Sequence, residues 1–109
     1  MKLLTLKQNA EFRRLYYRGK SASDPSVAVY TRKNRIGRNR IGITVSVKVG
    51  NAVTRSRARR VIREGYRSVE HLLPKGYDFV FVARGRTPRM KSNEVGEAIC
   101  ELVERLGLK

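Results

Sequence analysis

The chain has 109 residues, 40% of them hydrophobic, and a formal net charge of +16 from 25 Lys plus Arg against 9 Asp plus Glu. That length fits one compact domain, residues 1–109, and excludes two separate cores. Cys100 is the only cysteine, which excludes an internal disulfide and a zinc site built on cysteine spacing.

Self-repulsion at this charge opposes compaction until a polyanion neutralises it. Arg outnumbers Lys, and a planar guanidinium suits phosphates and base stacking better than an ammonium does. The charge is also lopsided. Residues 1–90 hold 22 basic and 5 acidic side chains, residues 91–109 hold 3 and 4. A polyanion is therefore expected to meet the first four-fifths of the chain, with the last segment as scaffold. No apolar run is long enough to span a bilayer. The start, Met1-Lys2-Leu3-Leu4-Thr5-Leu6-Lys7, has neither a sustained apolar stretch nor a small-residue cleavage site. The expected location is the cytoplasm, with no membrane partner and no obligate protein partner in view.

A first helix is predicted from Asn9 as N-cap, or one turn earlier from a Thr5–Gln8 capping box. Phe12, Leu15 and Tyr16 fall on one face, and Gly19 is the stop. Residues 26–32 read as a strand, with Val27, Val29 and Thr31 alternating against Ala28, Tyr30 and Arg32. A basic turn containing Gly37 leads to a second strand, residues 40–48. Ile41, Ile43, Val45 and Val47 line one of its faces. Gly42, Thr44, Ser46 and Lys48 line the other, a choice that suits an open surface.

Residues 54–73 carry the clearest helical period. Ala58, Val61, Ile62, Gly65, Tyr66, Val69, Leu72 and Leu73 make one apolar stripe, and Pro74 ends it. Residues 77–83 form a nearly continuous apolar run, as in a strand covered on both faces. Lys75 to Val82 also partly matches the sheet signature of an RNA-recognition motif. Asp78 and Val82 break that match, and so does the element order. A last helix carries Val95, Ala98, Ile99, Leu102, Val103 and Leu106, with Glu94 and Glu97 early and Arg105 and Lys109 late, as its dipole prefers. The expected fold is α+β: a single-domain α-β-β-α-β-α sandwich of helices on a small sheet.

The strongest local signal is the arginine cluster Arg55, Arg57, Arg59, Arg60, Arg63 and Arg67, which only Glu64 interrupts. At about 100° per residue, Arg59, Arg60, Arg63 and Arg67 share the side opposite the apolar stripe. Arg57 flanks that side, and Arg55 works from the start of the helix. Unbroken like charge is unfavourable on a merely solvated helix face, so the cluster points to a phosphate-binding ridge. Gly50 and Asn51 sit where strand turns into helix, and backbone N–H groups there suit an anion. Phe12, Tyr16, Tyr17 and Tyr30 lie among Arg13, Arg14, Arg18, Arg32 and Lys33. That interleaving suits single-stranded nucleic acid, with bases on rings and cations on the backbone. For catalysis by the chain itself there is little. The acids are scattered, and His71 is the only histidine. On these features a structural RNA-binding protein and, more distantly, a nuclease acting alone remain open.

The run Lys48-Val49-Gly50-Asn51-Ala52-Val53-Thr54-Arg55-Ser56-Arg57-Ala58-Arg59-Arg60-Val61-Ile62-Arg63-Glu64 resembles the bacterial ribonuclease P protein family, whose signature is Lys-x-Gly-Asn-Ala-Val-x-Arg-Asn-Arg before a basic helix. The resemblance extends over essentially the whole chain. Ser56 departs from the signature Asn, and Val47 from a frequent Lys. The resemblance implies catalytic-RNA binding through Asn51, Arg55, Arg57, Arg59, Arg60 and Arg63, and Arg67 joins them from its place on the same helix face. It implies a cleft for the single-stranded 5′ leader of precursor tRNA at Phe12, Tyr16, Tyr30, Ser46 and Lys48, with Arg32 beside Tyr30. It further implies a left-handed β-α-β crossover, against the usual right-handed rule. Catalysis would reside in the RNA, which requires magnesium, with no cofactor, metal or catalytic residue on the protein.

Overall fold

A computed structural model describes residues 4–6 and 8–108. Met1, Lys2, Leu3, Lys7 and Lys109 lie outside the described residues, and so do the readings of the chain start and of Lys109 that rest on them. The elements are β1 (Leu4–Thr5), α1 (Asn9–Arg18), β2 (Lys20–Ser23), β3 (Val27–Lys33), β4 (Arg40–Thr44), α2 (Ala52–Val69), β5 (Tyr77–Ala83) and α3 (Ser92–Arg105). The α+β class and the six expected elements are all present. Two short strands are added, β1 and β2, at the two edges of a sheet ordered β1-β4-β5-β3-β2. β4 runs parallel to its neighbours β1 and β5, while β3 is antiparallel to β5 and β2. Adjacent parallel β4 and β5, joined through α2, form the β-α-β unit.

β5 is the central strand and is covered on both faces, as its apolar run requires. Phe79, Phe81 and Ala83 face a core shared with Val27, Val29, Ile41 and the stripes of α2 and α3. On the opposite face Val80 meets Leu15 of α1 and Leu6, with Phe12, Tyr30 and Val82 packed around them. The molecule is thus three layers, with α1 alone on one side of the sheet. The paired α2 and α3 lie on the other, and between them backbone approaches backbone. A Cβ on Gly65 would lie 2.8 Å from the Ser92 carbonyl oxygen. The outward side of α3 exposes Glu94, Glu97, Glu101 and Glu104.

Several expected boundaries move for local reasons. Neither Asn9 nor Thr5 caps α1. Gln8 does, with Glu11 Oε1 accepting its backbone N–H at 3.2 Å. Strand β4 ends at Thr44 rather than at residue 48. The Ser46 hydroxyl accepts the Lys48 N–H at 3.1 Å and turns residues 47–49 into a single 3₁₀ turn, which leaves Val47 exposed. α2 begins after Asn51 rather than at Thr54, because the Asn51 side-chain oxygen caps the Thr54 N–H at 2.9 Å. Its last turn tightens to 3₁₀ over Glu70–Leu72, so the stripe loses its period there. Leu73 stays buried and Leu72 is half exposed. The sheet face expected to be open is partly roofed by α1. Gly42 lies beneath Phe12, and a Cβ there would approach Phe12 Cζ to 2.5 Å. Among the described residues no helix is long and apolar enough to cross a membrane.

Two expectations follow. Gly42→Ala forces the Phe12 ring aside, and since only the end of a side chain must move, the loss falls at the low end of the roughly 1–3 kcal/mol typical of overpacking. Urea unfolding measures it, and adding Phe12→Leu is expected to restore most of the stability. The second concerns Tyr66, which is fully buried, its hydroxyl without a hydrogen-bond partner among the described residues. Burial first, and the Glu70 carboxylate second, push its phenol well above the ordinary tyrosine value, while the Asn39 amide opposes them. A raised folded-state pKa contributes stability that is complete below the unfolded value, about 10, and is lost above it. Tyr66→Phe is therefore expected to hold or raise stability at pH 7 and to flatten the decline above pH 10. Parallel unfolding curves at the two pH values check both statements.

Candidate nucleic-acid interface

The candidate surface has three parts, and the orientation of α1 and α2 decides each. Along α2, Ala58, Val61, Ile62, Gly65 and Tyr66 are buried. Burying that stripe turns Arg57, Arg59, Arg60, Arg63 and Arg67 to solvent, with exposed Glu64 among them. No ion pair forms on this ridge among the described residues. Arg55 differs from the rest. It is half-buried at the first turn of α2, and its Nε is shielded from water without a hydrogen-bond partner among the described residues. The approach to α2 is shaped by Gly50, whose φ of +153° favours glycine. Asn51 then closes the first turn as the cap, with its side chain exposed. Ser56 is exposed on α2, and Val47 is exposed in the preceding 3₁₀ turn.

The second part is a cleft of about 600 Å³ between α1 and β4, lined by Asn9, Phe12, Arg13, Tyr16, Ile43, Thr44, Val45 and Arg59. Phe12 and Tyr16 give it aromatic surface, and Arg13 and Arg59 give it charge. Tyr16 is held by a 2.8 Å hydrogen bond between its hydroxyl and that of Thr44. Tyr30 stands behind Tyr16 with the rings edge-on, centroids 4.9 Å apart. Of the six positions expected at the leader, the structure brings Phe12 and Tyr16 onto the cleft wall and Tyr30 to its back. Ser46 and Lys48 are exposed just beyond Val45, with Ser46 also serving as the cap of the 3₁₀ turn. Arg32 lies elsewhere.

Arg32 lines the third part, a hollow on the other side of α1, together with Glu11, Arg14, Leu15, Arg18, Lys33, Asn34, Arg35, Ile36, Arg40 and Asp78. Its base is an ion network. Arg40 donates Nε to Asp78 Oδ1 at 2.9 Å and Nη2 to Asp78 Oδ2 at 2.7 Å, while Nη1 reaches Glu11 Oε2 at 2.8 Å. The hydrogen bond to Asp78 and the two carboxylates raise the Arg40 pKa further above an already high value, against the cost of burial. Asn34 completes the network by donating to Asp78 Oδ1 at 2.9 Å.

Asn9, Arg13, Thr44 and Val45 also line the cleft; the sequence sets Arg13 among the cations beside the aromatics and gives the other three structural readings, and Arg59 reaches the cleft as well as the ridge. A signal for two of them exists in the spacing. Asn9 and Arg13 are four residues apart and flank Phe12 and Tyr16 on a helix, but the rotation of α1 on the sheet is needed to use it. Among the described residues, no three or more His, Cys, Asp or Glu side chains gather.

These surfaces can be set beside known proteins. The family model described as Ribonuclease P matches residues 1–107. The chain is 39% identical over 109 residues to the ribonuclease P protein component of Clostridium botulinum, covering 99% of this chain and 98% of the relative. It is 43% identical over 106 residues to that of Pelotomaculum thermopropionicum, covering 96% and 95%. The RNase P protein of Staphylococcus aureus superposes with a TM-score of 0.82 at 30% identity, over 98% of each chain. That of Thermotoga maritima gives 0.81 at 30% identity, over 93% of this chain and 96% of the other. With the arginine ridge and the aromatic cleft in place, the chain belongs to the ribonuclease P protein family.

Proposed function

We propose that the chain works as the protein subunit of ribonuclease P, assembling with the catalytic RNA and holding the 5′ leader of precursor tRNA while the RNA removes it. The observation that carries this reading is Arg59, which stands on the α2 ridge and lines the α1 cleft at once. A surface built only to coat structured RNA has no need of an aromatic-walled cleft fused to its ridge. The ridge supplies guanidinium groups to RNA phosphates and releases counterions, so less magnesium is needed to fold and use the RNA. Phe12 and Tyr16 offer rings to unstacked bases, and Arg13 and Arg59 hold the strand between them. Stacking of this kind is worth about 1–3 kcal/mol per base, and because it exists only while the leader is attached, it favours precursor over product. Hydrolysis belongs to the RNA and its magnesium. The chain binds no cofactor in this scheme, contributes no catalytic residue and acts in the cytoplasm.

The deciding experiment is cleavage of a precursor tRNA by bacterial ribonuclease P RNA at low magnesium, with and without the protein. Restored 5′ processing by an otherwise inert protein is the expected result. Binding to the RNA with cleavage unchanged at every magnesium level would leave a general RNA-binding protein instead. Two variants separate the surfaces. Tyr16→Ala is expected to reduce the preference for precursor over mature tRNA by roughly tenfold, the equivalent of unstacking one base, with RNA assembly little affected. Arg60→Glu with Arg63→Glu is expected to weaken assembly and flatten its salt dependence, read from affinity titrations across a salt series.

A further inference from the structure

The hollow on the far side of α1 has no part in the scheme above. At about 100° per residue, Asn9, Phe12, Arg13 and Tyr16 face the cleft from one side of α1. Glu11, Arg14, Leu15 and Arg18 face this hollow from nearly the opposite side. The space beneath the helix is filled, since Leu15 and Phe12 pack onto Val80, Leu6 and Gly42. Its outer crest carries Tyr17, 87% exposed. α1 is therefore a divider, and a strand lying in the cleft cannot pass under it into the hollow.

The hollow is built for an anion in two respects. Its two acids are already engaged, since Glu11 and Asp78 both turn onto Arg40. That leaves Arg14, Arg18, Arg32, Lys33 and Arg35 on the rim with no ion pair among the described residues. Five cations gathered around one concavity repel each other unless something negative lies between them. The rim is also fixed in place. Asn34 clamps the β3–β4 turn by donating to the Arg38 carbonyl at 2.8 Å and accepting the Ile36 N–H at 3.1 Å. Its amide is tied in turn to Asp78 at 2.9 Å. The turn that presents Arg35 is thus anchored to the central strand through the same carboxylate that holds Arg40. The aromatic wall of the cleft has no counterpart here: the apolar lining is Leu15 and Ile36. Cations without rings suit phosphates rather than unstacked bases.

We propose that this hollow binds the phosphodiester backbone of a segment of the catalytic RNA, separate from the strand held in the cleft. α1 then sits between two RNA strands, with bases read on one side and backbone held on the other. The proposal rests on the ribonuclease P reading and assigns Arg32 to the backbone contact instead of the leader.

The test is Arg14→Ala with Arg35→Ala, two exposed side chains whose removal leaves the packing intact; circular dichroism and urea unfolding check that. Affinity for bacterial ribonuclease P RNA is measured across a salt series, and the assembled holoenzyme is titrated with precursor and with mature tRNA. The expected result is weaker RNA binding with a log–log salt slope shallower by about 0.7–0.9 for each phosphate no longer neutralised. The precursor-to-mature ratio is expected to stay unchanged. An unchanged slope would overturn the proposal, since no RNA then occupies the hollow. A fall in the precursor-to-mature ratio with RNA affinity intact would also overturn it and return the hollow to the leader path. Failure of the parent reading shows separately, as no stimulation of cleavage by the unsubstituted protein.

Discussion

The Arg40 fork is the interaction on which the working surface depends. One guanidinium joins β4 to the central strand through a bidentate pair with Asp78, and joins both to α1 through Glu11. Glu11 also caps the first turn of α1, so the start of that helix and its position on the sheet are set by one side chain. The pair is partly buried, with the Asp78 side chain 11% exposed. Removing Arg40 would leave the largely buried Asp78 carboxylate with the Asn34 amide as its remaining side-chain donor among the described residues, a loss that generally costs more than the pair contributes. In a chain of net charge +16, the few acids are a scarce means of fixing geometry. Two of the nine are committed to this one junction.

From that junction the two grooves follow. α1 is pinned at its start by Arg40, seated at its middle by Phe12 over Gly42, and tied by Tyr16 to Thr44. A helix held at three points divides its sheet face cleanly, with aromatic surface toward β4 and cations toward the β3–β4 turn. On the reverse of the sheet, α2 and α3 bury their stripes against the same strand and against each other. The arginine ridge is what remains of α2 once that burial is satisfied.

The long elements are legible in the sequence because each carries enough repeats of its own period. The stripe of α2 and the nearly continuous apolar run of β5 identify both elements without reference to anything distant. The two edge strands are not legible. Leu4–Thr5 is too short to show a period, and Lys-Ser-Ala-Ser of β2 has no apolar alternation to read. Both are strands because β4 and β3 offer them backbone partners, which is a tertiary fact. The end of β4 misleads for the opposite reason. Val45 and Val47 extend the alternation past the point where Ser46 turns the chain. The site is legible in its residue types but not in its division. Nothing local separates Arg32 from Tyr30 by groove, and the register of β3 beneath α1 does so.

The acidic side of α3 gives the molecule a further property. Four exposed glutamates lie along one helix, while the cations crowd α1, α2 and the β3–β4 turn. The protein is therefore strongly polar in the electrical sense. In the field of a large polyanion it experiences a torque before it experiences a contact. The favoured approach has α3 trailing, because encounters on that side are less strongly attracted than encounters on the arginine ridge. Orientation is settled during the approach, and the specific contacts are left to refine a pose that charge has already chosen.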